Sequence, residues 1–443
     1  MKTPIFDFVR AYADNDISRF HMPGHKGKTF LGVEQFDITE IPGADVLYHA
    51  DGIIAESEAN AGSLFGTERT FYSTEGSTLS IKAMLATALV CNPNKSRTLI
   101  AGRNAHKSLI YAAAELDFDI RWIYPEENEH FCSCTITSDK LSLALSSGEL
   151  PFAVYITSPD YLGNLADVKA LSNVCRKFGV PLLVDNAHGA YLAFLKESLH
   201  PIALGADMCA DSAHKTLPVL TGGGYLHISK KAPPAFVDIV PSMLCAFAST
   251  SPSYLILSSL DLCNEALANG YTEKIIKAVD KIGELKHKLS KSGVEIVNSE
   301  PMKVVFAPNA IGYTGVEFAH HLRTFGIEVE FADSEYTVLM PTAENSDHDF
   351  LRITTAMSSL EKRTPIFNKT PILEPPVQKI SVKKAVFSQS ELVCISSAEG
   401  RICAAPTVAC PPAVPVVVSG ELITDSLVEA LEHYGVKFVR VVK

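Results

Sequence analysis

Between Thr70 and about Ile228 the hydrophobic and polar positions switch repeatedly between two periods. Short β-branched runs, "RTLIAGR", "DIRWIYP", "PFAVYITSP", "PLLVDNA" and "GGGYLHIS", read as strands. Helical spacing separates them. In "DVKALSNVCRKFG", Val168, Leu171, Cys175 and Phe178 share one face, with Asp167 placed to cap the start and Gly179 the end. Strands alternating with helices of about 10–15 residues predict crossover connections and a mostly parallel sheet covered on both faces. Ligands of such sheets bind beyond the carboxyl ends of the strands.

The flanks differ. An amphipathic helix opens the chain, with Ile5, Phe8, Val9 and Tyr12 on one side. Two stretches without a period, "HMPGHKGKTFLG" and "DITEIPGADVLYHADG", follow as loops, and loops carry function more often than regular elements do. After the alternating region, Ile275 to Leu289 is a charged amphipathic helix, and "MKVVFAP", "IEVEFAD" and "YTVLMPT" predict strands of a smaller α/β domain. A proline-rich link, "TPIFNKTPILEPPVQKI", leads into a last segment that ends in a helix–strand pair. The expected division is 1–270, 271–365 and 366–443.

Composition narrows the function classes. With 47% hydrophobic and 20% charged residues the chain is globular, and no apolar run is long enough to span a membrane. The first twenty residues carry three aspartates and no apolar core, so no signal peptide is expected. The net charge of −11 argues against a nucleic-acid partner and suits a cationic small molecule. Cys132 and Cys134 form the one close cysteine pair and lack the partners of a zinc site, so no metal is expected, and the scattered thiols point to the cytoplasm.

The chemistry centres on "DSAHKTLPVLTGGGYLHIS". Lys215 stands among small and apolar residues, where burial would lower its pKa towards a usable amine. Such a lysine can bind pyridoxal phosphate covalently. That cofactor makes three further demands. A carboxylate must keep its ring nitrogen protonated, and Asp185 ends the apolar strand "PLLVD". Backbone amides and hydroxyls at a helix start must hold its phosphate, and Gly76, Ser77 and Thr78 follow the strand "RTFYS". The ring needs a packing face, for which His106 in "GRNAHKS" is placed. Each residue alone has an ordinary reading: a salt-bridged lysine, a turn-capping aspartate, a plain helix start, a hydrogen-bonded turn histidine. Their joint order carries the functional one.

The motifs "HMPGHKG", "TEIPGADVL", "GRNAHKS", "ITSPDYLG", "DNAHGA" and "DSAHKTLPVLTGG" resemble, in order and along nearly the whole chain, the prokaryotic-type ornithine/lysine/arginine decarboxylases. That resemblance implies an aspartate-aminotransferase-like α/β fold with a C-terminal α+β domain. It makes Lys215 the cofactor-binding lysine, Asp185 the ring-nitrogen partner and His106 the stacking residue. Gly76, Ser77, Thr78, Ser212 and His214 would hold the phosphate or the lysine's surroundings, and His188 would flank the cofactor. The implied reaction removes the α-carboxylate of a basic amino acid and returns a proton to the α-carbon from Lys215, His214 or water, feeding polyamine metabolism. A homodimer without the N-terminal wing of the large members is expected, with His25 and Asp45 in the contact loops.

The chain departs from the family pattern at Asn186, Tyr191, Cys410, Ala413 and Ser419. These changes bear on the substrate, for which Glu40, Asp45, Glu75 and Glu421 are candidate carboxylates and arginine is favoured over lysine and ornithine. Two rivals remain. An aminotransferase would need a carboxylate-binding arginine, and Arg352 falls on the outer face of a helical pattern capped from Ser346. A non-catalytic relative would have lost Lys215 or Asp185, and both are present.

Overall fold

A computed structural model describes all residues except 128, 292, 368–370, 372–373 and 407–411. The strands are β1 (Arg69–Ser73), β2 (Ser96–Gly102), β3 (Asp119–Ile123), β4 (Pro151–Thr157), β5 (Leu182–Asp185), β6 (Met208–Asp211) and β7 (Gly224–Ile228). They continue as β8 (Glu295–Val297), β9 (Val304–Ala307), β10 (Phe331–Ala332), β11 (Thr337–Leu339), β12 (Ser390–Cys394) and β13 (Phe438–Val442). Two compact units emerge: Met1–Ser96 with Glu149–Ser158 and Asp167–Ile276, and Arg97–Gly148 with Pro159–Ala166 and Lys277–Lys443.

In the first unit β4, β5 and β6 run parallel, while β7 lies antiparallel between β6 and β1. The helix Gly76–Cys91 packs on these strands and, apart from the partly exposed Lys82, is buried at every position from Leu79 to Leu89. Its sequence has no polar stripe, which is what an enclosed helix requires. The helix Val168–Phe178 has the predicted ends: Asp167 accepts from Ala170 N–H, and Gly179 adopts the left-handed conformation at φ +61°.

In the second unit β2 and β3 are parallel, the order β10-β11-β9-β8 forms an antiparallel sheet, and β12 pairs antiparallel with β13. The C-terminal segment shares the smaller sheet's core: Val416, Val417, Ile423, Leu427, Val439 and Val441 join Phe331 and Val338.

Three local outcomes differ from the sequence reading. The four-residue β6, "MCAD", was not among the expected strands, because Cys and Ala give no β-branched signal. "IEVEFAD" yields only Phe331–Ala332: the Asp333 carboxylate accepts from the N–H groups of Glu335 and Tyr336 and turns the chain. Ala413, one of the departures noted above, sits at φ +57°, a region that strains a side chain. No described helix is long and apolar enough to cross a membrane.

Candidate active site

Strand ends of the first unit bring the predicted residues together. β6 ends at Asp211 and passes through Ser212 into a single helical turn, Ala213–Thr216, which carries His214 and Lys215. Lys215 is half-buried rather than interior, and its Nζ lies 2.9 Å from His188 Nε2. Next along the sheet, β5 ends at Asp185, which is almost fully buried. Its carboxylate accepts from the Tyr155 hydroxyl (2.9 Å) and the Ala187 N–H (3.1 Å). Burial pushes the Asp185 carboxyl above its ordinary value, while these donors and the Lys215 charge pull it down. His214 is driven the other way, towards the neutral ring, by burial and the neighbouring ammonium, although its Nδ1 contact with Gly223 O opposes the shift.

Gly76 opens its helix at φ +67°, and no side chain caps the first turn. Ser212 Oγ donates to Ser77 Oγ at 2.8 Å, so two hydroxyls meet at that helix start. Thr78 is exposed on the same turn. Glycine at 224 is obligatory: a Cβ there would meet Asp211 O at 2.9 Å and the Gly76 backbone at 3.1 Å.

His106 belongs to the second unit. It caps the helix Lys107–Leu116, its Nδ1 accepting from Ser108 N–H at 3.1 Å. Arg352 is exposed on the helix Asp347–Ser358, whose start carries the Ser346–Asp349 capping box, and it contacts His348 and Gly326.

The four candidate substrate carboxylates separate by environment. Glu421 is 1% exposed and bound to Arg103 at 3.1 Å, with Val418 N–H on the same oxygen, so it ties the C-terminal segment to "GRNAHKS" and is removed from the candidates. The Asp45 carboxylate gathers N–H groups from Val46, Asp51, Gly52, Ile54 and Ala55, which organises its loop. Burial raises its pKa, but these donors more than offset that. Glu40 accepts from Leu47 N–H and Glu75 from Ser249 N–H. Of the departures, Asn186 donates to Asp211 at 2.8 Å, Tyr191 is fully buried, and Ser419 is buried with an unpartnered hydroxyl. Cys410 lies outside the described residues.

The comparisons decide the family. Residues 3–333 match the model of the Orn/Lys/Arg decarboxylase major domain, and residues 363–436 that of the Orn/Lys/Arg decarboxylase C-terminal domain. The chain belongs to the Orn/Lys/Arg decarboxylase family. This decarboxylase is 29% identical over 455 residues to an arginine decarboxylase of Bacillus subtilis (strain 168), covering 96% of its own length and 92% of the relative's. An arginine decarboxylase of Halalkalibacterium halodurans is also 29% identical, over 459 residues, with coverage of 96% and 92%. Its fold is that of the E. coli constitutive lysine decarboxylase, at a TM-score of 0.80, 16% identity and coverage of 100% of this chain and 82% of the other. Lysine decarboxylase A from Pseudomonas aeruginosa gives 0.81 at 16% identity, covering 99% and 80%. The decarboxylase is therefore a pyridoxal-phosphate enzyme acting on basic amino acids.

The residues of the first unit fit that cofactor. Asp185 is a buried carboxylate whose charged form is under-supported, and a cationic ring N–H against it would restore that form. In register with it on β4, Thr157 Oγ1 is out of solvent without a partner, a polar atom left for a ligand. The uncapped helix start with the Ser77 and Ser212 hydroxyls suits a phosphate.

Sequence reasoning missed Tyr155 and Thr157. Alternation along β4 puts both on Asp185's side only if the register is known. It also missed the Arg103–Glu421 tie, which spans over 300 residues and leaves no local signal.

Proposed function

We propose that this enzyme decarboxylates arginine, with Lys215 and Asp185 as its central pair. The observation that supports this most is the half-buried Lys215 amine 2.9 Å from His188, in the same compact unit as the buried, under-supported Asp185 carboxylate.

In this reading Lys215 Nζ binds the cofactor covalently, and its contact with His188 Nε2 lets a proton leave or return to that nitrogen. Asp185 holds a proton on the ring nitrogen, kept in line by the Tyr155 hydroxyl and the Ala187 amide. Ser77, Thr78 and Ser212 bind the phosphate together with the helix start at Gly76. When bound, pyridoxal phosphate supplies an electron sink for the pair that the departing carboxylate leaves behind. Lys215 Nζ, freed when the substrate's amine takes its place on the cofactor, would then deliver the proton to the α-carbon, and His214, held towards its neutral ring, would do so only after taking a proton from solvent. By the family resemblance, His106 would stack on the cofactor's ring.

Arginine is favoured because both relatives described above, matched across nearly their full length, are arginine decarboxylases. Glu40 and Glu75 are the carboxylates left to read the distal guanidinium. The amine product would enter polyamine metabolism. We further propose a cytoplasmic homodimer, with free thiols suiting a reducing compartment and the loops around His25 forming the contact. The functional division 1–270, 271–365 and 366–443 belongs to the same proposal.

Carbon dioxide release from arginine, lysine and ornithine tests the substrate. Arginine should give the highest kcat/KM, and Glu40→Gln or Glu75→Gln should raise KM with kcat nearly unchanged, the mark of binding shared by ground and transition states. Turnover of neutral or acidic amino acids alone, or amino-group exchange with a keto acid and no carbon dioxide, would contradict the proposal.

A further inference from the structure

Behind β5 and β6 lies a fully buried ionisable cluster that the reaction does not use directly. Asp185 is paired in register with Ala210, so Asp211, one residue further along a pleated strand, points to the opposite face of the sheet. Asn186, one residue after Asp185, points that way too, and its amide donates to Asp211 Oδ1 at 2.8 Å. The Cys209 thiol donates to the same oxygen at 3.1 Å. On Oδ2, His200 Nε2 lies at 3.0 Å, while His227 Nε2 stands 3.4 Å away without a hydrogen bond. Asp211, His200 and His227 are each 1% exposed or less.

Proton positions follow from the outer contacts. His200 Nδ1 accepts from Ile202 N–H, so its proton sits on Nε2 and points at Asp211. His227 Nδ1 lies 2.9 Å from the Thr70 hydroxyl; because Thr67 donates to Gly62 O, the Thr70 proton goes to Thr67, so the His227 proton sits on Nδ1 and donates to Thr70. Burial drives His227 towards the neutral ring, against the pull of Asp211. For Asp211 burial alone would raise the carboxyl, but His200 above all holds it far below the ordinary range. The other ionisable groups facing it, Cys209 and Tyr225, are pushed up by burial and stay neutral. The cluster therefore carries one negative charge.

We propose that Asp211 is a positioning residue: a permanent second anion behind the sheet that adds its charge to that of Asp185 where the cofactor's ring nitrogen is held, and fixes the β5 end through Asn186. This rests on the reading of Asp185 given above. The same interaction appears from the other side, as Asp211 is among the groups that raise Asp185.

The test compares charge removal with donor replacement. In Asp211→Asn the dissociation constant of the cofactor, titrated into cofactor-free protein by circular dichroism, should rise about tenfold. The pH midpoint of the bound cofactor's visible absorption should fall by about one unit, as expected for losing a nearby anion in a medium of intermediate dielectric. His200→Gln keeps the carboxylate and a donor, so its midpoint should stay at the wild-type value even if its melting temperature drops. If Asp211→Asn does not fold, Asp211→Glu and Asp211→Ser give the same contrast of charge kept against charge lost. An unmoved midpoint in Asp211→Asn, or an equal shift in His200→Gln, overturns the proposal. So does stoichiometric bound metal by elemental analysis, since His200, Cys209 and Asp211 could also chelate. Asp185→Asn separates the layers: if it shifts the midpoint and Asp211→Asn does not, this inference alone fails. If Asp185→Asn does nothing, the reading beneath it fails as well.

Discussion

At the scale of single residues, burial decides what each ionisable group can do. Asp185 and Asp211 are both fully enclosed carboxylates, yet their affinities for protons move in opposite directions. Asp211 has His200 to hold its charge. Asp185 has a hydroxyl, an amide and a neighbouring ammonium, and so remains able to take a cationic partner. The proposed role makes a direct prediction. Asp185→Asn keeps the shape but removes the charge that holds the ring proton, so kcat should fall by about three orders of magnitude or more, roughly 4 kcal/mol of transition-state stabilisation. Some cofactor should remain bound. Steady-state kinetics beside a cofactor titration checks this, and near-normal turnover would remove Asp185 from the mechanism. Much of this was legible in the sequence, because Asp185 ends a strand, Lys215 and Gly76 each follow one, and strand ends gather ligands. Their supports were not: Tyr155, Thr157, His200 and His227 become neighbours only through register between strands distant in sequence.

At the scale of elements, strong periods and caps were readable while short or half-exposed strands were not. The ends of Val168–Phe178 and Asp347–Ser358 follow from Asp167, Gly179 and Ser346, whose chemistry is local. The strand β6 depends on pairing with strands distant in sequence, whereas β10 is cut short by a local turn at Asp333 that the alternation of "IEVEFAD" masks. The helix Ile53–Phe65 and the strand β1 carry a further consequence. Glu58 on that helix is 2% exposed, accepts from Tyr72 N–H at 2.9 Å and has Arg69 at 3.6 Å. Burial dominates, and its pKa is raised to about 7. A carboxyl raised on folding favours the native state fully below its unfolded pKa, and that contribution is lost as pH rises through the folded value. Wild-type melting should therefore lose stability between about pH 5 and 8 through Glu58, by roughly 2–3 kcal/mol at the upper end. In Glu58→Gln that component should vanish. Parallel melting curves for the two proteins across this range would refute the assignment.

At the scale of the whole molecule, the loops between the first helix and Ile53 present unusually bare apolar side chains. Phe20, Phe30 and Leu31 are 96%, 82% and 88% exposed. Phe30 and Leu31 do not hang loosely: Glu34 gathers the N–H groups of Phe30, Leu31, Gly32 and Val33, and the Leu31 amide above all lowers its pKa to about 2. A held apolar tip on the surface is what a second copy would cover. Asp45, which caps its own loop, is a poor probe of that contact, because its loss would unfold the loop in either state. His25, bonded to Asp37 and Gly27 but partly exposed, is the better one. Mixing His25→Ala with Lys215→Ala should restore part of the activity that each lacks alone, and sedimentation should give a dimer. A monomer with full activity at assay concentration would contradict the shared site.

The central claim is that Lys215 is the amine that carries the cofactor. Purified enzyme should be yellow, and borohydride reduction followed by peptide mapping tests the claim most directly. A stable pyridoxyl adduct is expected on Lys215 alone, absent from Lys215→Ala. An adduct on any other lysine, or none in a protein that still releases carbon dioxide, would contradict it.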